Sequence, residues 1–187
     1  MSNKSTDFDI LMDHGIDIRG RTIYLEGDVE KATIDKFQKL IRWLDKTSGD
    51  ITVALDSEGG DVNLGFRAYD EIRACNNEVT VRVCGVAMSM GSIILQAGDK
   101  RVITKNSRIM IHRGEMSVDG HFTDVKRAVA ENNELDNICV DIYLEKIKEV
   151  NPNYKRSQLQ KMMDFDTYIS AQRALELGFV DEIEGLE

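Results

Sequence analysis

Ser89 lies in Gly85-Val86-Ala87-Met88-Ser89-Met90-Gly91, a small-residue stretch between a β-branched segment and an apolar helical one. A serine at such a strand-turn-helix junction is lifted clear of its sheet, and the backbone N–H that follows it, here that of Met90, is left free for an oxyanion. A hydroxyl is a poor nucleophile at neutral pH and needs an imidazole within reach, itself oriented by a carboxylate. Of the three histidines, His14 lies in a polar amino-terminal segment and His121 at the start of a long helical pattern, whereas His112 ends the apolar run Ile109-Met110-Ile111. His112 is the best base. For the acid, Asp164 and Asp166 both precede Thr167-Tyr168-Ile169, and composition does not choose between them. Gly59-Gly60 follow a third strand pattern, and one of their N–H groups would complete an oxyanion site. The chemistry suggested is acyl transfer. Taken singly, each feature is weak: a serine in a small-residue turn is most often structural, and a strand-end histidine most often a satisfied polar group.

These residues sit on alternating strand and helix signals. Arg21 to Glu26 predicts a strand, and Ile34, Phe37, Leu40, Ile41 and Leu44 predict a helix over Glu30 to Lys46 behind an Asp28 cap. Ile51 to Asp56 is a nearly continuous apolar strand, broken by Gly59-Gly60, and Val62, Phe66, Tyr69 and Ile72 mark the next helix face. Val79 to Cys84 is another strand, Gly85 to Ser89 a turn, and Met90 to Ala97 a short apolar helix. Strands at Arg101 to Thr104 and Arg108 to His112 follow, then a long helix from about Phe122 to Val150 that projects from the body. A short helix near Ser157 to Met163 precedes a last one capped by Ser170 and ended by Gly178. The pattern predicts an α/β layered fold with right-handed crossovers, whose sites gather at the carboxyl ends of strands.

The 187 residues predict one domain, 42% hydrophobic and 30% charged, with a core and no disorder. A formal charge of −9 repels phosphate backbones and anionic lipids, so neither nucleic acid nor a membrane is an expected partner. No signal-peptide pattern or bilayer-length apolar run occurs, and a cytoplasmic location is expected. Cys75, Cys84 and Cys139 are odd in number, without CxxC spacing, and are expected to be reduced core thiols rather than disulfides or zinc ligands. No GxGxxG or GxxxxGK[ST] occurs, so neither a cofactor nor a metal is expected.

Together these segments resemble the ClpP family, the serine peptidase subunit of the ATP-dependent Clp protease, from about Arg21 to Ile183. The family serine lies in G-x-A-x-S-M-G, which residues 85–91 match at every fixed position. Its glycine pair is matched by Gly59-Gly60, its M-I-H by Met110-Ile111-His112, and the context of its acid by Asp166-Thr167-Tyr168-Ile169-Ser170-Ala171 with the later Gly178-Phe179-Val180-Asp181. The resemblance thus prefers Asp166 to Asp164. It implies a crotonase-like α/β subunit with a projecting handle helix over about 121–150. It further implies a Ser89-His112-Asp166 triad, with Gly60 and Met90 as oxyanion donors. The implied particle is a ring-forming homo-oligomer, a heptamer or stacked heptamers, that cleaves unfolded proteins or short peptides and is fed by a Clp-type ATPase.

The chain also departs from the family pattern. Glu58 replaces the proline usual before the glycine pair and sets a negative charge beside the oxyanion donor. Phe165 stands where an arginine usually links to the opposite ring. The amino-terminal segment, residues 1–20, is largely polar up to Gly15 except for Phe8, Ile10, Leu11 and Met12, where the family has hydrophobic axial loops. Such divergence suits a specialised relative, for instance a virus-encoded one. Two other readings remain: a catalytically silent ring subunit, and a coenzyme A-dependent crotonase, which shares the fold but does not require Ser89 or His112.

Overall fold

The computed structural model describes residues 6–185; the first five positions of the amino-terminal segment lie outside them. In chain order the elements are α1 (Asp7–His14), β1 (Ile16–Asp17), β2 (Thr22–Val29), α2 (Lys31–Leu44), β3 (Ile51–Gly60), α3 (Val62–Arg73), β4 (Val79–Met88) and α4 (Met90–Leu95). They continue with β5 (Lys100–Thr104), β6 (Arg108–Ile111), α5 (Phe122–Val150), α6 (Arg156–Met163), β7 (Thr167–Ser170), α7 (Ala171–Leu177) and β8 (Glu182–Glu184). The sheet runs β1-β2-β3-β4-β5-β8, all parallel except β1, while β6 leaves this path to pair with β4 in parallel and with β7 antiparallel. The expected α/β architecture is borne out.

Burial follows the apolar spacing. β4 hides Val79, Val81 and Val83, α2 turns Ile34, Phe37, Ile41 and Leu44 inward, and Ile51, Val53 and Leu55 line the same core from β3. A charged side chain is buried with it: Arg101 is 2% exposed, with its N and Nε donating to Asp181 Oδ2 at 2.8 and 3.0 Å and Nη1 to the Gly178 carbonyl at 2.7 Å. That network anchors the last strand beside β5, and a buried charge is tolerated only when paired in this way.

Three local expectations are corrected. Asp28 does not cap α2; it pairs with Gly59, and Val29 pairs with Gly60, so β2 runs on and Glu30 takes the cap position without a side-chain bond. For the same reason Gly59-Gly60 do not break β3 but end it inside the ladder. Gly85 to Ser89 is likewise no simple turn: β4 pairs with β5 up to Val83, is displaced by a bulge, and pairs with β6 from Val86 to Met88. The bulge is held by Val86 N–H donating to Asp56 Oδ1 at 2.9 Å and Gly85 N–H donating to Ser107 Oγ at 2.9 Å. A Cβ on Gly85 would lie 2.3 Å from Asp56 Oδ1, and its φ of +119° strains any L-residue, which together favour glycine there. Finally, α1, capped by Thr6, and the short strands β1, β7 and β8 have no counterpart in the sequence pattern.

The cysteines are also corrected: all three are free, but Cys84 is exposed and Cys75 and Cys139 are only partly buried. Cys84 follows inward-facing Val83 on a strand, so alternation points it outward. Burial, with the charges of Asp45, Glu71 and Asp99, pushes the Cys75 thiol up to about 11; burial, with Asp136, pushes Cys139 up to about 12. Only thiolate is nucleophilic. At pH 8, iodoacetamide is therefore expected to modify Cys84 alone in the folded protein and all three cysteines after unfolding. Peptide-resolved mass spectrometry checks this, and equal labelling of Cys139 in the native state would contradict it.

The 29-residue α5 is about 44 Å long at 1.5 Å per residue. Its buried positions, Asp136, Val140, Tyr143, Leu144 and Ile147, all lie from its midpoint onward, so its first half contributes no buried residue. Among the described residues, no helix is long and apolar enough to cross a membrane.

Candidate active site

The end of β4 delivers Ser89 in a constrained conformation. Its φ of 49° and ψ of −121° make it one of two non-glycine residues with positive φ among those described, the other being Arg21. Such a backbone costs of order 1–3 kcal/mol and persists only where its surroundings enforce it. Here Ser89 N–H donates to the Met110 carbonyl at 2.9 Å, while the Ser89 carbonyl accepts from Ser92 N–H at 2.9 Å and from Ser92 Oγ–H at 2.6 Å. Ser92 Oγ in turn lies 2.6 Å from the buried Tyr143 hydroxyl, which fastens α4 to α5 directly beneath the turn. Burial pushes the Tyr143 phenol well up, so it stays a neutral partner. The N–H of Met90 opens α4 as its first residue, where no intrahelical carbonyl is available to it.

Strand register brings the other side chains to Ser89. β6 lies beside the end of β4, Met88 opposite Met110, which places His112 just past the ladder next to the turn. On its other side β6 pairs with β7, Ile111 opposite Thr167, so continuing the antiparallel register sets His112 across from Asp166. His112 Nε2 is 2.8 Å from Ser89 Oγ, and its Nδ1 is 3.2 Å from Asp166 Oδ1. The imidazole is 19% exposed and Asp166 58%, so the ring is sheltered while the acid remains wet. Asp164, the alternative acid, is engaged elsewhere and accepts from Arg113 Nε at 2.9 Å.

The glycine pair stands against the same turn. Gly59 N–H donates to Ser57 Oγ at 3.1 Å and Asp61 N–H to the Val29 carbonyl at 2.9 Å, so the amides on either side of Gly60 are engaged. Gly60 lines a cavity of about 460 Å³ together with Ser89, Met90 and His112. Its apolar wall includes Ile93, Leu135 and Tyr143, and its rim carries Glu58, Asp61 and Glu115, so the charge introduced by Glu58 does border this cavity. A larger cavity of about 600 Å³, under α1, β2 and α2, contains none of the expected site residues.

A model of the Clp protease family matches residues 13–186. The chain belongs to this family. Among its curated relatives, the ATP-dependent Clp protease proteolytic subunit of Deinococcus radiodurans is 31% identical over 170 residues, covering 89% of this chain and 81% of the relative. Proteolytic subunit 1 of Protochlamydia amoebophila is 30% identical over 178 residues, covering 92% of this chain and 84% of the relative. The corresponding subunit of Chlamydia abortus is 32% identical over 170 residues, covering 87% and 85%.

Sequence patterns missed the part of this Clp-family cavity built by α5. Asn132, Leu135, Asp136, Cys139 and Tyr143 all line it. Their spacing of three and four residues is that of one helix face, but three of the five are polar or weakly apolar, so a search for an apolar stripe passes over them. Arg113 was missed as well. Among the described residues, no group of three or more His, Cys, Asp or Glu side chains is arranged to hold a metal ion.

Proposed function

We propose that the chain is a serine endopeptidase of the Clp type, in which Ser89 attacks, His112 moves the proton and Asp166 holds the imidazole. The observation that carries this reading is the 2.8 Å approach of His112 Nε2 to Ser89 Oγ. With Nδ1–H directed at Asp166, Nε2 accepts from the serine hydroxyl. Oγ adds to the scissile carbonyl as its proton passes to Nε2, and the carbonyl π pair moves onto oxygen, where the N–H groups of Met90 and Gly60 receive it. The imidazolium then protonates the leaving amine as the C–N bond breaks. Water, deprotonated by the same ring, cleaves the acyl-serine. Loss of one oxyanion donor costs about 3 kcal/mol in such a site.

The substrates in this reading are unfolded proteins or short peptides, and the setting is the cytoplasm. The relatives' names, which describe proteolytic subunits of an ATP-dependent protease, support a partner ATPase of the Clp type. Phe122, Val129 and Ile138 on α5 and Phe165 and Tyr168 beside Asp166 are exposed, which supports a homo-oligomer that covers them and encloses the sites in a chamber. Phe165, 78% exposed, supports an apolar contact between subunits at this position. The intact Ser89-His112-Asp166 arrangement weighs against a silent subunit.

A serine-directed fluorophosphonate is expected to label Ser89 once per chain, and fluorogenic short peptides to be cleaved by a particle several times heavier than the 21.1 kDa chain. Failure of the wild type to take up the label, with no peptide cleavage, would overturn the reading.

A further inference from the structure

Past Ile111 the β6–β7 ladder ends, so the register sets His112 across from Asp166 but the two are not themselves a ladder pair. Arg113 closes this open end. Its N–H donates to the Met163 carbonyl at 2.8 Å, Nε donates to Asp164 Oδ1 at 2.9 Å, and Nη1 donates to Asp136 Oδ2 at 2.8 Å. Gly114 N–H donates to the other oxygen of Asp136 at 3.1 Å. The residue after the imidazole is thereby tied to α5 and to the short link, residues 164–166, that carries the acid.

Burial makes one arm of this contact stiff. The Asp136 side chain is 11% exposed, so its carboxylate depends on these donors, whereas the Asp164 side chain is 47% exposed and the Arg113 side chain 42%. Hydrogen bonds to Asp164 and Asp136 hold the guanidinium further in its charged form. A planar guanidinium can engage two carboxylates through different nitrogens at once, which a lysine cannot do with fixed geometry. All of these partners belong to a single chain.

We infer that Arg113 is a positioning residue: by bridging Asp136 on α5 and Asp164 beside Asp166, it sets the separation of His112 and Asp166. This rests on the serine-peptidase reading above. Arg113 does not itself line the cavity that holds Ser89, although its partner Asp136 does, and the effect expected of it is on the alignment of the catalytic groups.

The test compares Arg113→Ala and Asp164→Asn with the wild type and Ser89→Ala, each as the full chain. It measures kcat and KM on one fluorogenic peptide, the rate of fluorophosphonate labelling, particle mass and thermal midpoint. Arg113→Ala is expected to lower kcat and the labelling rate by about 10- to 100-fold with KM within about two-fold, as sub-ångström misplacement of a reacting group does. Asp164→Asn, which leaves Asp136 paired, is expected to lower kcat by about three- to ten-fold at unchanged mass and midpoint. Low millimolar guanidinium should restore part of the rate of Arg113→Ala and none of that of Ser89→Ala. The inference is overturned by an Arg113→Ala kcat within two-fold of wild type, or by an effect on KM alone. It is also overturned if Asp164→Asn behaves as wild type while Arg113→Ala fails to fold. A wild type whose peptide cleavage survives Ser89→Ala overturns the underlying reading instead, and is told apart because the rate no longer responds to the serine at all.

Discussion

Ser89→Ala is expected to lower the turnover of fluorogenic peptides by about 10⁴- to 10⁶-fold, the range seen when the nucleophile of a serine triad is removed. Binding should be nearly unchanged, because the apolar wall formed by Ile93, Leu135 and Tyr143 and the proposed oxyanion donors at Met90 and Gly60 remain in place. The fold should also hold. The Ser89 hydroxyl serves His112, while the turn is held by the Ser89 backbone through Met110 and Ser92, and alanine retains both backbone contacts. Alanine does not relieve the positive φ either, so little change in thermal midpoint is expected. Active-site titration, steady-state kinetics and a thermal melt on one preparation check all three points. A variant that keeps a hundredth of the wild-type rate would place the nucleophile elsewhere.

The second large effect is expected at Gly59→Ala, although Gly59 takes no part in the proposed chemistry. A Cβ there would lie 2.8 Å from the Met88 carbonyl oxygen, 2.8 Å from Ser89 Cβ and 3.0 Å from Met90 N, and φ is +101°. These neighbours include backbone of the serine turn, which cannot swing aside as the tip of a long side chain would. Crowding of this kind costs about 1–3 kcal/mol, and the positive φ adds about 1–2 kcal/mol for an L-residue. A loss of about 2–5 kcal/mol in unfolding free energy is expected, with at least a 10²-fold drop in kcat because the atoms displaced carry the proposed nucleophile and one proposed oxyanion donor. Gly27→Ala is the control: its φ is +82°, but a Cβ there meets nothing within 4 Å, so it should show the backbone cost without the kinetic loss. Urea denaturation and peptide hydrolysis of the two variants separate the contributions. Equal kinetics for Gly59→Ala and Gly27→Ala would show that the crowding is absorbed without moving Ser89.

Both predictions concern residues whose local setting is legible in the chain and whose neighbours are not. The apolar spacing of α2, the caps Ser170 and Gly178 of α7, and the bounds of α5 are local, because each depends on residues within about a turn of one another. The end of β3 shows the opposite case. Gly59-Gly60 predict a break, yet Asp28 and Val29 arrive from β2 and keep the strand paired to its last residue. The bulge at Gly85 depends on Asp56 and Ser107, which lie 29 and 22 residues away in the chain.

The site divides along the same line. Ser89 in its small-residue turn and His112 at the end of an apolar strand are marked by their immediate neighbours, and family likeness adds Asp166 from its flanking residues. Asp164 and Asp166 nevertheless carry the same side chain two residues apart, and no local property distinguishes them. The pairing of Ile111 with Thr167 does so, by setting Asp166 across from His112 while Arg113 draws Asp164 away. The α5 wall of the cavity and the Arg113 bridge belong wholly to the tertiary structure. Residue type and spacing act over a few ångströms along the chain, and they determined which groups were capable of chemistry. Strand register, bulges and ion pairs join residues distant in sequence, and they decided which of those groups meet.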